Sequence, residues 1–241
     1  MNRTLVWKEL RETWWMGMVA LVLFAIGIAD VVNLGFNWVT MSLETSFRGS
    51  LPFDGRNQFA FGYFLPIAAG MAIVLGLWQS LMEFVRGTWH FLINRPIERS
   101  RLVGNKLVAG LLLYFVTTAI PILGLACWAA TPGAFAAPFE WSLTRTIWLV
   151  WLVMPILYLG AFLCGIRQAR WWGTRLLPFV AAAGIAILPT LAYELRLDRL
   201  EQLTSATFVQ TATNVLLGLV LLADALFVAA ILHTSQTRNF S

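Results

Sequence analysis

Six runs of roughly 20 residues pass through this chain with almost no charge, at 14–34, 61–82, 107–129, 147–166, 176–193 and 211–232. A helix of about 20 residues matches a hydrocarbon core of about 30 Å. In lipid a backbone has to satisfy its own polar groups, so runs of this length become helices rather than open strands. Composition agrees: of 241 residues 59% are hydrophobic and 12% are charged, against about 25% charged in a typical soluble domain. The expected fold is therefore all-α: a polytopic membrane protein with six transmembrane helices in one domain spanning 1–241.

Six spans put both termini on one side, so Lys and Arg can be counted side by side. The N-terminal segment (Arg3, Lys8, Arg11), the 83–106 connection (Arg86, Arg95, Arg99, Arg101, Lys106), the 167–175 loop (Arg167, Arg170, Arg175) and the tail (Arg238) hold twelve of the seventeen. The other side holds Arg48, Arg56, Arg145, Arg196 and Arg199. Positive charge collects on the cytoplasmic side. The expectation is an inner (cytoplasmic) membrane protein with both termini in the cytoplasm. The net charge of +5 then reflects topology, and no basic domain interleaved with aromatics stands apart to bind nucleic acid.

Residues 1–13 read as an amphipathic interfacial helix. At 100° per residue Val6, Trp7, Leu10 and Trp14 share one side, and Lys8, Glu9 and Glu12 the other. Trp7, Trp14 and Trp15 would lie at headgroup depth, with Arg3, Lys8 and Arg11 toward anionic lipid. Acidic residues among the bases do not resemble a cleaved signal, so the first helix is expected to remain.

The connection at 83–106, EFVRGTWHFLINRPIERSRLVGNK, is the most distinctive segment. Gly87 loosens the end of the second span, and Thr88 can cap a short helix through Ile93. Asn94, Arg95 and Pro96 end it, because the residue before a proline is pushed out of the helical region. Glu98 to Lys106 then restarts a helix that enters the third span. Trp89, Phe91, Leu92 and Ile93 exposed to water would cost about 25 cal/mol per Å², so the short helix needs either the bilayer or a partner.

Other signals are sparse. Cys127 and Cys164 lack metal or disulfide spacing, and His90 and His233 have no partner at ligand spacing. No GxxxxGK[ST] or GxSxG occurs, so this chain is not expected to hydrolyse ATP, and no catalytic residue or metal is assigned. On the sixth span Thr211, Asn214 and Gly218 belong to a narrow small and polar stripe suited to packing, a dimer contact or a pathway wall. Asp224 lies about 15 Å deep by the helical rise, where an ionised carboxylate is expensive, so it is expected to be neutral or paired with a neighbouring hydroxyl or basic side chain, with a pathway contact as the alternative. A secondary transporter would be expected to show an internal repeat with interrupted spans, and none is evident.

The elements Glu83, Arg86-Gly87-Thr88, Phe91-Leu92, Arg95-Pro96, Arg99, Leu102-Val103 and Lys106 resemble the region between the second and third helices of type-2 ABC transporter permeases. The resemblance implies a short cytoplasmic coupling helix that seats in a groove of a separate ATPase subunit. Trp89, Phe91 and Leu92 would fill the groove, Arg86, Arg95 and Glu98 would contact its rim, and Pro96 would set the exit turn. His90 departs from the pattern, which often has an acid there. The resemblance further implies an exporter subunit, working as a homodimer or with a related permease, with ATP and Mg on the partner and no cofactor on this chain. A secondary transporter and a non-transporting membrane anchor for a cytoplasmic partner are the alternatives.

Overall fold

A computed structural model of the chain describes residues 3–32, 58–85, 99–131, 139–167, 172–199 and 206–237. Every described element is helical: α1 (Arg3–Val31), a π-helical turn (Gln58–Phe64) leading into α2 (Leu65–Val85), α3 (Arg99–Ala129), a 3-10 turn (Trp141–Thr144) leading into α4 (Arg145–Val153), α5 (Pro155–Ile166), α6 (Trp172–Arg199) and α7 (Ala206–Thr237). Among the described residues five helical stretches are long and apolar enough to cross a membrane: Arg3–Asp30, Gly62–Met82, Ser100–Ala129, Arg145–Ile166 and Asn214–Thr237. A sixth apolar helical stretch, Gly173–Leu188, is shorter.

Several boundaries differ from the sequence expectation. α1 is one unbroken helix, with no break between 13 and 14. The run at 147–166 is interrupted at Met154, because Pro155 has no N–H to give to a continuing helix and suits the first position of a new one. Pro121, in contrast, lies inside α3 without ending it. The helix restart expected after Pro96 begins at Arg99 and runs unbroken into the third span.

The chain packs as two compact units. The first comprises Met1–Glu12, Ala72–Leu111 and Val153–Ser241. Its centre is α5, in which every residue from Pro155 to Ile166 is buried. A helix that is apolar on all sides can be surrounded by neighbours on all sides, and α6 and α7 both pack on it. Lipid removes the hydrophobic drive for helices to associate, so close backbone approach has to supply the contact energy. Gly76 of α2 provides it. A Cβ there would lie 2.5 Å from the Tyr158 carbonyl oxygen and 3.1 Å from the Phe162 nitrogen, both in the α5 backbone.

The C-terminal end of α5 is closed by Arg175 of α6, whose Nε donates to the Cys164 carbonyl oxygen at 3.2 Å. A cation on those last carbonyls satisfies groups that a helix end leaves unpaired. α7 is the most open helix of this unit: Val215, Leu219, Leu222 and Leu226 are exposed. In water that surface would be costly, whereas hydrocarbon covers it freely.

The second unit comprises Thr13–Met71 and Leu112–Leu152. Met16, Ala20 and Phe24 form the buried stripe of its part of α1. Phe24 stacks on Phe64 at 5.4 Å between ring centroids, and the Tyr63 hydroxyl donates to Asp30. The π-helical turn carries Phe59, Tyr63 and Phe64, all buried. Trp151 of α4 donates through Nε1 to the Thr118 hydroxyl of α3 at 2.8 Å, and its ring meets Phe115 edge-on at 4.8 Å.

Gly70, also on α2, has no described residue within 4 Å of where a Cβ would project. Gly76→Ala is therefore expected to lower the unfolding midpoint in detergent, as over-packing by about 1–3 kcal/mol does. Gly70→Ala is expected to leave the midpoint unchanged or raise it, since alanine is the better helix former. Equal responses would mean that the α2 and α5 backbones do not meet at Gly76.

Candidate functional site

Three buried polar residues meet in the first unit, Glu9, Gln79 and Lys106, and Asn105, next to Lys106 in sequence, is buried too, each less than 8% exposed. Glu9 comes from the second turn of α1, Gln79 from α2, and Asn105 and Lys106 from the first turns of α3. Lys106 Nζ lies 3.5 Å from Glu9 Oε1, and it also reaches the Gln79 carbonyl oxygen at 3.4 Å. One ammonium thus joins the start of α3 to both α1 and α2.

α5 adds a neutral hydroxyl to the same cluster. Tyr158 donates to Gln79 Oε1 at 2.7 Å, and the Lys106 carbonyl oxygen lies 3.5 Å from the same hydroxyl. A phenol has one proton to give, so the shorter contact takes it. Gln79 Nε2 is buried and has no hydrogen-bond partner among the described residues. The space is made by Gly110 of α3: a Cβ there would run into the Tyr158 hydroxyl and lie 2.6 Å from Gln79 Oε1.

Burying an ammonium and a carboxylate costs several kcal/mol for each ion, and their attraction returns this only when they stay together. Net stabilisation by the pair is therefore small. Removing one partner is another matter, since it strands the other charge at about 3–5 kcal/mol. The pair consequently acts as a constraint: it holds three helix segments in one arrangement and penalises any movement that parts them. The cluster has no nucleophile beside a base, and the described residues contain no group of three or more metal-binding side chains.

Glu9 corrects the amphipathic reading of the N-terminus. The sequence pattern groups it with Lys8 and Glu12 on the polar side, away from the apolar face. In the structure Lys8 and Glu12 are exposed and lie 3.6 Å apart as an i,i+4 pair, while Glu9 is buried and Trp7 is 72% exposed. The cause is Lys106, a counter-ion 97 positions away in sequence. A stripe of small and polar residues on α1, Glu9, Thr13, Gly17 and Ala20, carries the signal, because such residues at helical spacing face a close neighbour.

Glu83 is in the last turn of α2, with its side chain outside the described residues, and Arg86, Gly87, Thr88, Trp89, His90, Phe91, Leu92, Arg95, Pro96 and Glu98 all lie outside them. Thr211 belongs to α7, and its side chain is likewise outside them. Asn214 and Gly218 are exposed on α7, and no described residue lies within 4 Å of where a Gly218 Cβ would be. The expected stripe is thus not packed within this unit at Gly218. Asp224 is half-buried, and its Oδ1 has no hydrogen-bond partner among the described residues. Cys127 and Cys164 are free thiols.

Comparison with protein-family models, with curated proteins and with solved structures returned no match to this chain.

Tyr158→Phe is expected to destabilise the protein by about 1–3 kcal/mol, the cost of leaving a buried acceptor unpaired. Gly110→Ala is expected to destabilise the wild type and to cost less in the Tyr158→Phe background, where the oxygen it strikes is gone. Measured unfolding energies that simply add would show that Gly110 and Tyr158 do not meet.

Proposed function

We propose that this chain is the membrane subunit of an ATP-driven transporter, a permease of the type-2 ABC class and an exporter. ATP hydrolysis would occur on a separate subunit that grips the segment between α2 and α3. The observation that carries the reading is the burial of Lys106, the last residue of that segment, against Glu9 and the α2 backbone. A segment that receives force needs rigid feet. Here the foot on α3 is bound by a charge pair to α1 and by a hydrogen bond to α2, so a push on the segment would move helices rather than bend a loop.

In this reading the membrane is the inner membrane, six helices cross it and the termini are cytoplasmic. Trp89, Phe91 and Leu92 are the anchors in the ATPase groove, Arg86, Arg95 and Glu98 its rim contacts, and Gly87, Thr88 and Pro96 shape the short helix, with Glu83 and His90 at its flanks. A second copy or a related permease completes the transporter, and the exposed face of α7 with Asn214 and Gly218 is available to line a pathway or meet that copy. Asp224 belongs to the same helix and would be a further polar group available to such a pathway or contact. ATP and Mg would be bound by the partner.

Affinity purification from the native host is expected to recover a soluble subunit carrying a GxxxxGK[ST] loop. The Trp89→Glu/Phe91→Glu variant is expected to lose it by about 30-fold or more, the effect of removing one buried anchor worth about 2 kcal/mol, while its unfolding midpoint stays unchanged. Undiminished recovery with that variant would contradict the coupling assignment. Transport by the chain alone, driven by an ion gradient, would favour a secondary transporter instead.

A further inference from the structure

The exposed face of the first turns of α1 carries charge that no described residue answers. Lys8 is paired with Glu12 at 3.6 Å, and Glu9 is turned inward to Lys106 at 3.5 Å. That leaves Arg3 and Arg11, both exposed and without an ion-pair partner among the described residues. Between them is Trp7, 72% exposed. Positions 3, 7 and 11 advance by about 40° each around a helix, so the three side chains form one row, with the two guanidinium groups about 12 Å apart along the axis.

An indole between two arginines meets two needs at the membrane boundary. Its ring is favoured at headgroup depth, and a guanidinium matches the paired oxygens of a phosphate while its stem lies along apolar surface. The next turns of the same helix decide the occupant: Met18, Val19, Val22 and Leu23 are exposed and wholly apolar, a surface that acyl chains cover and a soluble anion does not. We infer that Arg3, Trp7 and Arg11 form a headgroup site for anionic phospholipid, in the leaflet that holds the N-terminal end of α1.

The assignment predicts selectivity rather than mere solvation. Native mass spectrometry of the full chain, in detergent with equimolar phosphatidylglycerol and phosphatidylcholine of matched acyl chains, is expected to show preferential retention of phosphatidylglycerol. Arg3→Gln/Arg11→Gln is expected to reduce that preference by roughly fivefold for each arginine removed, whereas Arg3→Lys/Arg11→Lys keeps most of it. Should the double Gln variant fail to fold, the single variants are each expected to lose about fivefold. Equal retention of the two lipids by the wild type, or an undiminished preference in the Gln variants, would overturn the site. Retention is read on this chain alone, so the result is separate from that of the ATPase association.

Discussion

A charge pair in a place that tolerates no stray charge governs how the N-terminal end of this protein is arranged. Lys106 and Glu9 are both buried, on helices far apart in sequence, and meet at 3.5 Å, so that their attraction offsets the cost of burying each. The consequences spread outward from that constraint. α1 is fixed in rotation with Glu9 inward, so Trp7 and Arg11 face outward. The start of α3 is fixed against α2, because the same ammonium reaches the Gln79 carbonyl. Gln79 in turn accepts from Tyr158 of α5, which leaves room at position 110 for glycine alone.

Polar bonding does the specifying in this unit because apolar contact cannot. Between lipid-embedded helices leucine gains little over its contact with acyl chains, so an aliphatic face such as that of α7 has no strong preference for a particular neighbour. α5 is held differently, through backbone approach at Gly76 and through the capping of its last carbonyls by Arg175. Close packing and a few buried hydrogen bonds thus replace the large hydrophobic core of a soluble domain. In the transporter reading, this stiffness at the foot of the 83–106 segment would let a push from an ATPase reach α1, α2 and α5 together.

The helical character and the apolar runs are legible in the sequence, because bilayer length and backbone satisfaction admit few alternatives. The interruption at Met154 is half legible: Pro155 is visible as a break, but Pro121 has the same local chemistry and does not end its helix. Periodicity puts Glu9 opposite Trp7, as found, but gives no sign that Glu9 is buried while Lys8 and Glu12 are exposed, since it cannot see a counter-ion on another helix. The π-helical turn at Gln58–Phe64 and the Tyr63–Asp30 hydrogen bond leave no periodic trace either, as both depend on tertiary packing. Of the candidate site, Lys106 stands out for its charge and its place at the end of the 83–106 segment, whereas Gln79, Gly110 and Tyr158 are ordinary residues until α2, α3 and α5 come together.

Glu9 and Lys106 act as one constraint rather than as two independent polar residues. A double-mutant cycle of Glu9→Leu and Lys106→Met, followed by denaturant unfolding in detergent, tests it directly. Each single substitution strands a buried charge and is expected to cost about 3–5 kcal/mol, while the double substitution is expected to recover most of that loss. Single losses that add in the double variant would contradict the pair and, with it, the account of how the start of α3 is held.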